Sequence, residues 1–503
     1  MKDYLKIACG VFGAINFNKK PVFPLLYWGL RAQNHRGHQS HGFVTFNGKF
    51  YAYKRLDLVP RIRTKATNEW LKRLPGYLGI ANIRYTTSGK TDERSLRKGI
   101  QPVIAKKDNS KIAVSFNGNV VNTLQLKREI QGEFPGFEYE CDADLLCYKL
   151  LIDHLKTGDL SEAVTRCMKE VDGAFSVAGI TQNGEFFAFK DPYGIRPLCA
   201  GKDGKDGIFA FSSETVGFDI NTINFEFEIE PGELVKVTKQ GFEREKLVNS
   251  GKKAFCAFEF AYFARPDSIF GEKCIYEIRE QFGRNLAEEN QDVVQDADIV
   301  ISIPETGDDA ALGVHEATGL RWERASRRHR YVTERAFILL SRERKSTIDK
   351  KINFIGSRIR GKRVIITEDS IVRGDTTRVV VEKLRKFGAK KVYVFITFPR
   401  IISPCFYGIN MATYSELIGS RYTDEEIAKI IGADSVRYQS LESFIKATGY
   451  RKDELCLGCL TRKYPTPMAQ RIADEMWKRF QEGEKETRRL YEIPELVENA
   501  ATK

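Results

Sequence analysis

The chain has 503 residues, enough for two to four domains at about 150 residues each. With 42% hydrophobic and 29% charged residues it reads as globular, and no apolar run approaches the roughly 18 residues of a membrane span. The formal charge of +13 suits anionic partners, but no nucleic-acid recognition module accompanies it, so small anionic substrates are expected rather than nucleic acid or a membrane.

The first eight residues, Met1 to Ala8, are too short and too polar for a secretory leader, which points to the cytoplasm. In that compartment the ten cysteines are expected to stay reduced, with Cys141, Cys147, Cys167, Cys199 and Cys274 serving as small packing residues. Residues 1–8 read instead as a propeptide. Their removal would give Cys9 a free α-amine, and an amine with pKa near 8 can act as base for its own thiol.

Four further stretches follow: Asn34-His35-Arg36-Gly37, Asn82-Ile83-Arg84-Tyr85-Thr86-Thr87, Phe116-Asn117-Gly118-Asn119 and Cys141-Asp142-Ala143-Asp144. Taken singly, each is more simply a turn or an ion pair. Together, in this order and spacing, they resemble the class II glutamine amidotransferases. That resemblance implies an α+β N-terminal-nucleophile glutaminase over residues 9–250, a four-layer sandwich of two antiparallel sheets between helices. Glutamine needs a cation for its α-carboxylate, an anion for its α-ammonium and an oxyanion hole. Arg84, Asp142, and Asn117 with the Gly118 N–H would supply them. The chain departs from the family at His38 and His41, at Asn82, where a histidine is usual, and at Phe116. A changed pH dependence is one expected consequence.

Composition turns polar between Gly241 and Lys253, and the domain boundary is placed there. Beyond it, apolar strands alternate with helical patterns, which implies a parallel sheet with ligands beyond the strands' carboxyl ends. The strand Ala297 to Ile303 ends at Pro304-Glu305-Thr306-Gly307. The strand Arg363 to Thr367 ends at Glu368-Asp369-Ser370, and a loop through Arg373 and Gly374 opens into a helix at Asp375-Thr376-Thr377. A loop entering a helix N-terminus suits a phosphate, while strand-end carboxylates reach ribose hydroxyls and a divalent cation. Oxygen donors make Thr306, Glu368 and Asp369 candidates for Mg²⁺.

This loop resembles the phosphoribosyl pyrophosphate loop of type I phosphoribosyltransferases, in the version found in the amidophosphoribosyltransferase family. Glu368 replaces an aspartate there and Asp375 a threonine. The resemblance implies an α/β phosphoribosyltransferase domain over residues 251–470, followed by a helical tail, 471–503. It implies glutamine and phosphoribosyl pyrophosphate as substrates, the first step of purine synthesis as the reaction, and a homo-oligomer of the tetrameric kind. Two features complicate it: Asp375 would repel a phosphate unless it points away, and Glu334 replaces an arginine of the loop that closes over the pyrophosphate. A weakened paralogue with a regulatory or nucleotide-binding role is therefore a second reading.

Cys256, Cys405, Cys456 and Cys459 remain. Four thiolates suit either a [4Fe–4S] cluster or tetrahedral zinc. The family resemblance implies the cluster.

Overall fold

The structure, a computed structural model, describes residues 9–61, 67–84, 93–238, 241–329, 352–484 and 486. Residues 10–246 build two antiparallel sheets. One has seven strands, in spatial order Asn224–Glu228, Cys199–Asp203, Ile208–Ser212, Gly10–Asn16, Leu78–Arg84, Ser40–Phe46 and Phe50–Arg55. The other has six: Gly241–Lys246, Glu233–Thr238, Phe186–Lys190, Gly173–Thr181, Ser110–Val120 and Val103–Lys107.

Successive side chains along a strand point to opposite faces, and here both faces are apolar. Val11 and Ile15 join Ile80, Ala113, Ala178 and Ile180 in the layer between the sheets. Phe12 and Ala14 pack with Phe43, Ala81 and Leu26 beneath helix Phe23–Ala32. On the far side, Val114, Phe116 and Phe175 pack with Leu146, Leu150 and Val164 of helices Asp142–Thr157 and Leu160–Glu170. The result is helix, sheet, sheet, helix, the four layers expected.

The second half is built on a five-stranded parallel sheet, ordered Arg321–Trp322, Ile299–Ser302, Arg363–Glu368, Lys391–Ile396 and Ser435–Tyr438. Its near-continuous apolar strands follow from burial on both faces. Ile299, Ile301, Val364, Ile366, Val392 and Val394 face one core, with Val380, Leu384 and Ile427 from helices Asp375–Lys386 and Asp424–Ile431. Val300, Ile365, Tyr393 and Phe395 face the other, with Leu286, Ala311 and Val314 from helices Ile275–Glu289 and Asp308–Thr318. Numbered along the chain, the strands lie in the order 2-1-3-4-5. The order reverses between strands Ile299–Ser302 and Arg363–Glu368, and a doubly wound sheet binds its ligand at the carboxyl ends beside such a reversal.

One apolar core joins the halves, with Val121, Ala174 and Ile195 packed among Phe258, Phe406 and Tyr464. Among the described residues, no helix is long and apolar enough to cross a membrane.

Candidate active site

At the reversal point, two carboxylates end the central strand, and hydroxyls hold both. Thr377 Oγ1 donates to Glu368 Oε2 at 2.7 Å. Thr306 Oγ1 donates to Asp369 Oδ2 at 2.7 Å, and Ser370 Oγ to Asp369 Oδ1 at 2.6 Å. The three residues proposed from sequence for Mg²⁺ therefore meet at one sheet edge. Gly374, with φ of 84°, turns the chain into helix Asp375–Lys386. A side chain there would be strained by the left-handed backbone, and a Cβ would approach Ile431 to 3.2 Å. The first turn of that helix has backbone N–H groups without intrahelical acceptors, which is the basis of anion binding.

The repulsion expected at Asp375 is moderated by a partner: its carboxylate pairs with Arg378 at 3.2 Å on a half-exposed face. Arg373 pairs with Glu416 at 2.9 Å. A cavity of about 660 Å³ opens here, walled by residues 368–377, by Pro304–Thr306, by Tyr262–Pro266 and by His35 and His38 of the first half. Arg279 lines it too, and sequence reasoning passed it over. It is buried on helix Ile275–Glu289, donating Nε to the Phe260 carbonyl at 2.9 Å and Nη2 to the Ala264 carbonyl at 2.8 Å. The available signal was an arginine among the apolar positions Ile275, Ile278, Phe282 and Leu286 of an amphipathic helix.

The first-half candidates lie on adjoining strands. Cys9, buried, immediately precedes strand Gly10–Asn16, and Gly10 pairs with Ile83 beside Arg84. Arg84 is buried and donates to the Gly99 carbonyl. It lies close enough to Cys141 and Asp144 to bias their ionisation, although burial dominates and pushes both pKa values up. Asp142, the next residue, begins a helix and accepts the Val120 N–H at 2.9 Å. Asn117 and Gly118 sit on strand Ser110–Val120, which packs against strands Gly10–Asn16 and Leu78–Arg84. Both amide atoms of Asn117 are buried without a hydrogen-bond partner among the described residues. Only glycine fits at 118, since a Cβ would fall 1.8 Å from the Ala174 carbonyl oxygen.

Asn82 has a structural explanation: its Nδ2 donates to Ser115 Oγ at 3.0 Å and to the Phe116 carbonyl at 3.1 Å, tying one sheet to the other. His41 is buried with Nδ1 2.7 Å from the Asp57 carbonyl. The residues 1–8, Tyr85 to Thr87, the loop with Glu334 and residues 487–503 lie outside the described residues.

The four remaining cysteines come from three segments that meet in the shared core. Cys256 and Cys456 are partners in the register of a two-stranded parallel ribbon. Cys405 accepts the Tyr407 N–H at 3.3 Å, and the Cys459 carbonyl accepts the N–H groups of Ile402 and Ser403. Burial pushes the Cys256 thiol up to about 12. Burial and the neighbouring Cys256 and Cys405 also raise Cys456. Elsewhere, Glu129, Asp153 and Glu170 converge, but Lys149 occupies their centre, 2.7 Å from Glu129 and 2.9 Å from Asp153.

Residues 91–219 match the model of a glutamine amidotransferase domain family. The chain is 40% identical to the amidophosphoribosyltransferase of Methanocaldococcus jannaschii, covering 91% of this chain and 98% of that one. It is 34% identical to the Bacillus subtilis amidophosphoribosyltransferase, covering 92% and 95%. Among solved structures it superposes with TM-score 0.81 on the B. subtilis glutamine phosphoribosylpyrophosphate amidotransferase complexed with ADP and GMP, at 32% identity over 91% of this chain and 97% of that one.

Proposed function

The chain belongs to the amidophosphoribosyltransferase family and is a glutamine-dependent amidotransferase of that class, and from that premise we propose how its two halves divide the reaction. The overall conversion takes glutamine, phosphoribosyl pyrophosphate and water to 5-phosphoribosylamine, glutamate and pyrophosphate, the first step of purine synthesis. In our reading residues 9–250 carry the glutaminase, residues 251–470 the transferase, and removal of residues 1–8 exposes the Cys9 amine; helix Pro467–Gln481 crosses the boundary expected at 470 and packs into the shared core.

The Cys9 thiol passes its proton to that amine and attacks the glutamine amide carbon. Arg84 and Asp142 hold the amino-acid end of glutamine. The oxyanion that forms accepts hydrogen bonds from the Asn117 amide and the Gly118 N–H. Collapse of the intermediate returns the proton to the leaving nitrogen, releases ammonia and leaves a thioester that water converts to glutamate. The unpartnered amide of Asn117 supports its part, because a buried amide without partners is costly unless a ligand fills the place.

In the second half, Ser370 and the 373–377 turn take the 5′-phosphate, and Glu368 and Asp369 take the ribose hydroxyls. Ammonia then displaces pyrophosphate from C1 of the ribose. Thr306, Glu368 and Asp369 fit a hard cation by their all-oxygen chemistry, and Mg²⁺ bound there would neutralise charge on the leaving pyrophosphate. One observation carries this assignment: paired carboxylates and a glycine-led helix N-terminus flank a 660 Å³ cavity at the reversal point of the parallel sheet.

Cys256, Cys405, Cys456 and Cys459 fit a [4Fe–4S] cluster with a structural role. The family resemblance favours the cluster over zinc, which the same four thiolates would also suit. We further propose a cytoplasmic location, where ten cysteines are kept reduced, and a homo-oligomer. Nothing in the comparisons supports the second reading, a weakened paralogue.

The deciding experiment follows glutamate and pyrophosphate together, anaerobically, with the mature N-terminus checked by intact mass. Protein beginning at Cys9 is expected to release the two in equal amounts. Cys9→Ala should lose glutamine-dependent release at least a thousandfold, yet keep ammonia-dependent pyrophosphate release within about threefold. Glutamine-driven turnover by Cys9→Ala would overturn the assignment.

A further inference from the structure

Glu214 is fully buried, and its two oxygens face opposite halves of the chemistry. Oε1 accepts from His35 Nε2 at 2.7 Å and from Arg36 Nη1 at 2.5 Å. Oε2 accepts from the Arg265 N–H at 2.9 Å and from Ser268 Oγ at 2.6 Å. Arg36 in turn donates Nε to the Cys9 carbonyl at 3.1 Å and grips Glu259 through both Nη atoms at 2.9 and 2.7 Å. Arg265 lies on the wall of the 660 Å³ cavity, as does His35. Glu214, beside Glu259, thus joins Arg36, which holds the Cys9 carbonyl, to the main chain of the wall of the transferase cavity.

We propose that Glu214 is a positioning residue shared by both half-reactions, locking Arg36, and through it the Cys9 main chain, to the turn from Arg265 to Ser268 that follows the cavity wall. This rests on the reading of Cys9 as nucleophile and of the cavity as the phosphoribosyl pyrophosphate site. A carboxylate has acceptor capacity for all four donors, and here all four are met at a fully buried side chain. A displacement of the wall by bound substrate must therefore either break a charge-assisted hydrogen bond or pull Arg36 with it. The first is costly, so the second is favoured. The coupling is reciprocal: whatever filling the cavity does to glutamine affinity, glutamine does to affinity in the cavity.

Two variants test this. Ser268→Ala removes one donor on the transferase side and leaves His35 and Arg36 untouched. Glu214→Gln keeps the shape but replaces one acceptor with a donor, so one side must let go. For each, kcat/KM for glutamine is measured with and without phosphoribosyl pyrophosphate, beside ammonia-dependent pyrophosphate release and the ratio of glutamate to pyrophosphate formed.

Ser268→Ala is expected to keep the ammonia-dependent rate within about twofold. The factor by which phosphoribosyl pyrophosphate changes kcat/KM for glutamine should shrink at least threefold, and more than one glutamate should form per pyrophosphate. Glu214→Gln should show the same pattern more strongly. If Glu214→Gln does not fold, Ser268→Ala decides alone. Wild-type response and one-to-one products in the folded variants would overturn the proposal, as would a wild-type enzyme whose glutamine kinetics ignore phosphoribosyl pyrophosphate. Failure of the underlying reading would show separately, as glutamate release surviving Cys9→Ala.

Discussion

His41 stands where the family has a small residue, and its environment fixes its charge. Nδ1 donates to the Asp57 carbonyl, and Nε2 is buried with no hydrogen-bond partner among the described residues. Burial, with a smaller contribution from Arg55, holds its pKa below the usual 6.5, so the folded protein keeps the ring neutral. The unfolded chain takes up a proton first as pH falls through 6.5, and the native state does not follow until its own lower pKa. This group therefore removes stability on acidification and contributes no pH dependence above that window. Urea midpoints measured from pH 7.5 to pH 5 are expected to fall more steeply for the wild type than for His41→Gln. Parallel curves would show that the ring is not the titrating group. Asn82 makes the complementary point: a departure from the family pattern in sequence becomes a bridge between two sheets once Ser115 is seen opposite it.

Strand, loop and helix around Glu368 form an element whose parts separate cleanly under substitution. Gly374→Ala puts a side chain on a backbone with φ of 84°, at a cost of roughly 1–2 kcal/mol, and the chain can relieve it only by moving the 373–377 turn. Asp375→Thr removes a carboxylate already paired with Arg378 on the half-exposed side of the helix. Steady-state kinetics should therefore show KM for phosphoribosyl pyrophosphate rising about tenfold for Gly374→Ala, and changing less than threefold for Asp375→Thr. The reverse ranking would mean that Asp375 faces the ligand.

This element was legible in sequence because every part of it is local: an apolar strand, two acids, a glycine and a helix start within fifteen residues. The cavity's other walls were not legible in the same way. Arg279 was visible only as a charge on a buried helix face, and the contact of His35 with Glu214 joins residues 179 positions apart. Periodicity carries no trace of such a pairing.

At the scale of the molecule a shared core joins the halves, with Cys256, Cys456 and Cys459 in it and Cys405 packed against it. Phe255–Cys256 opens the second half, and Leu455–Cys456 comes near its end, yet the two are hydrogen-bonded neighbours in a parallel ribbon. The sequence supplied the four thiols, and the family resemblance supplied their grouping. Spacing alone could not separate cluster from zinc, since Cys456 and Cys459 suit both. Burial raises the Cys256 and Cys456 thiols, so without metal these groups stay protonated, and binding metal must expel their protons. Metal retention should accordingly weaken as pH falls.

A link between Cys256 and Cys456 also closes a loop of some 200 residues. By analogy with a covalent cross-link, its loss removes about 2–4 kcal/mol through the freedom returned to the unfolded chain. For a domain of this size that corresponds to a melting temperature lower by roughly 5 °C or more. Cys456→Ser, purified anaerobically, is therefore expected to lose iron, sulfide and visible absorbance together and to melt earlier, while a conservative change at the packing residue Cys167 does neither. Wild-type protein that carries stoichiometric zinc and no iron would reassign the site to tetrahedral zinc. Full iron content with an unchanged melting temperature in Cys456→Ser would exclude that cysteine as a ligand.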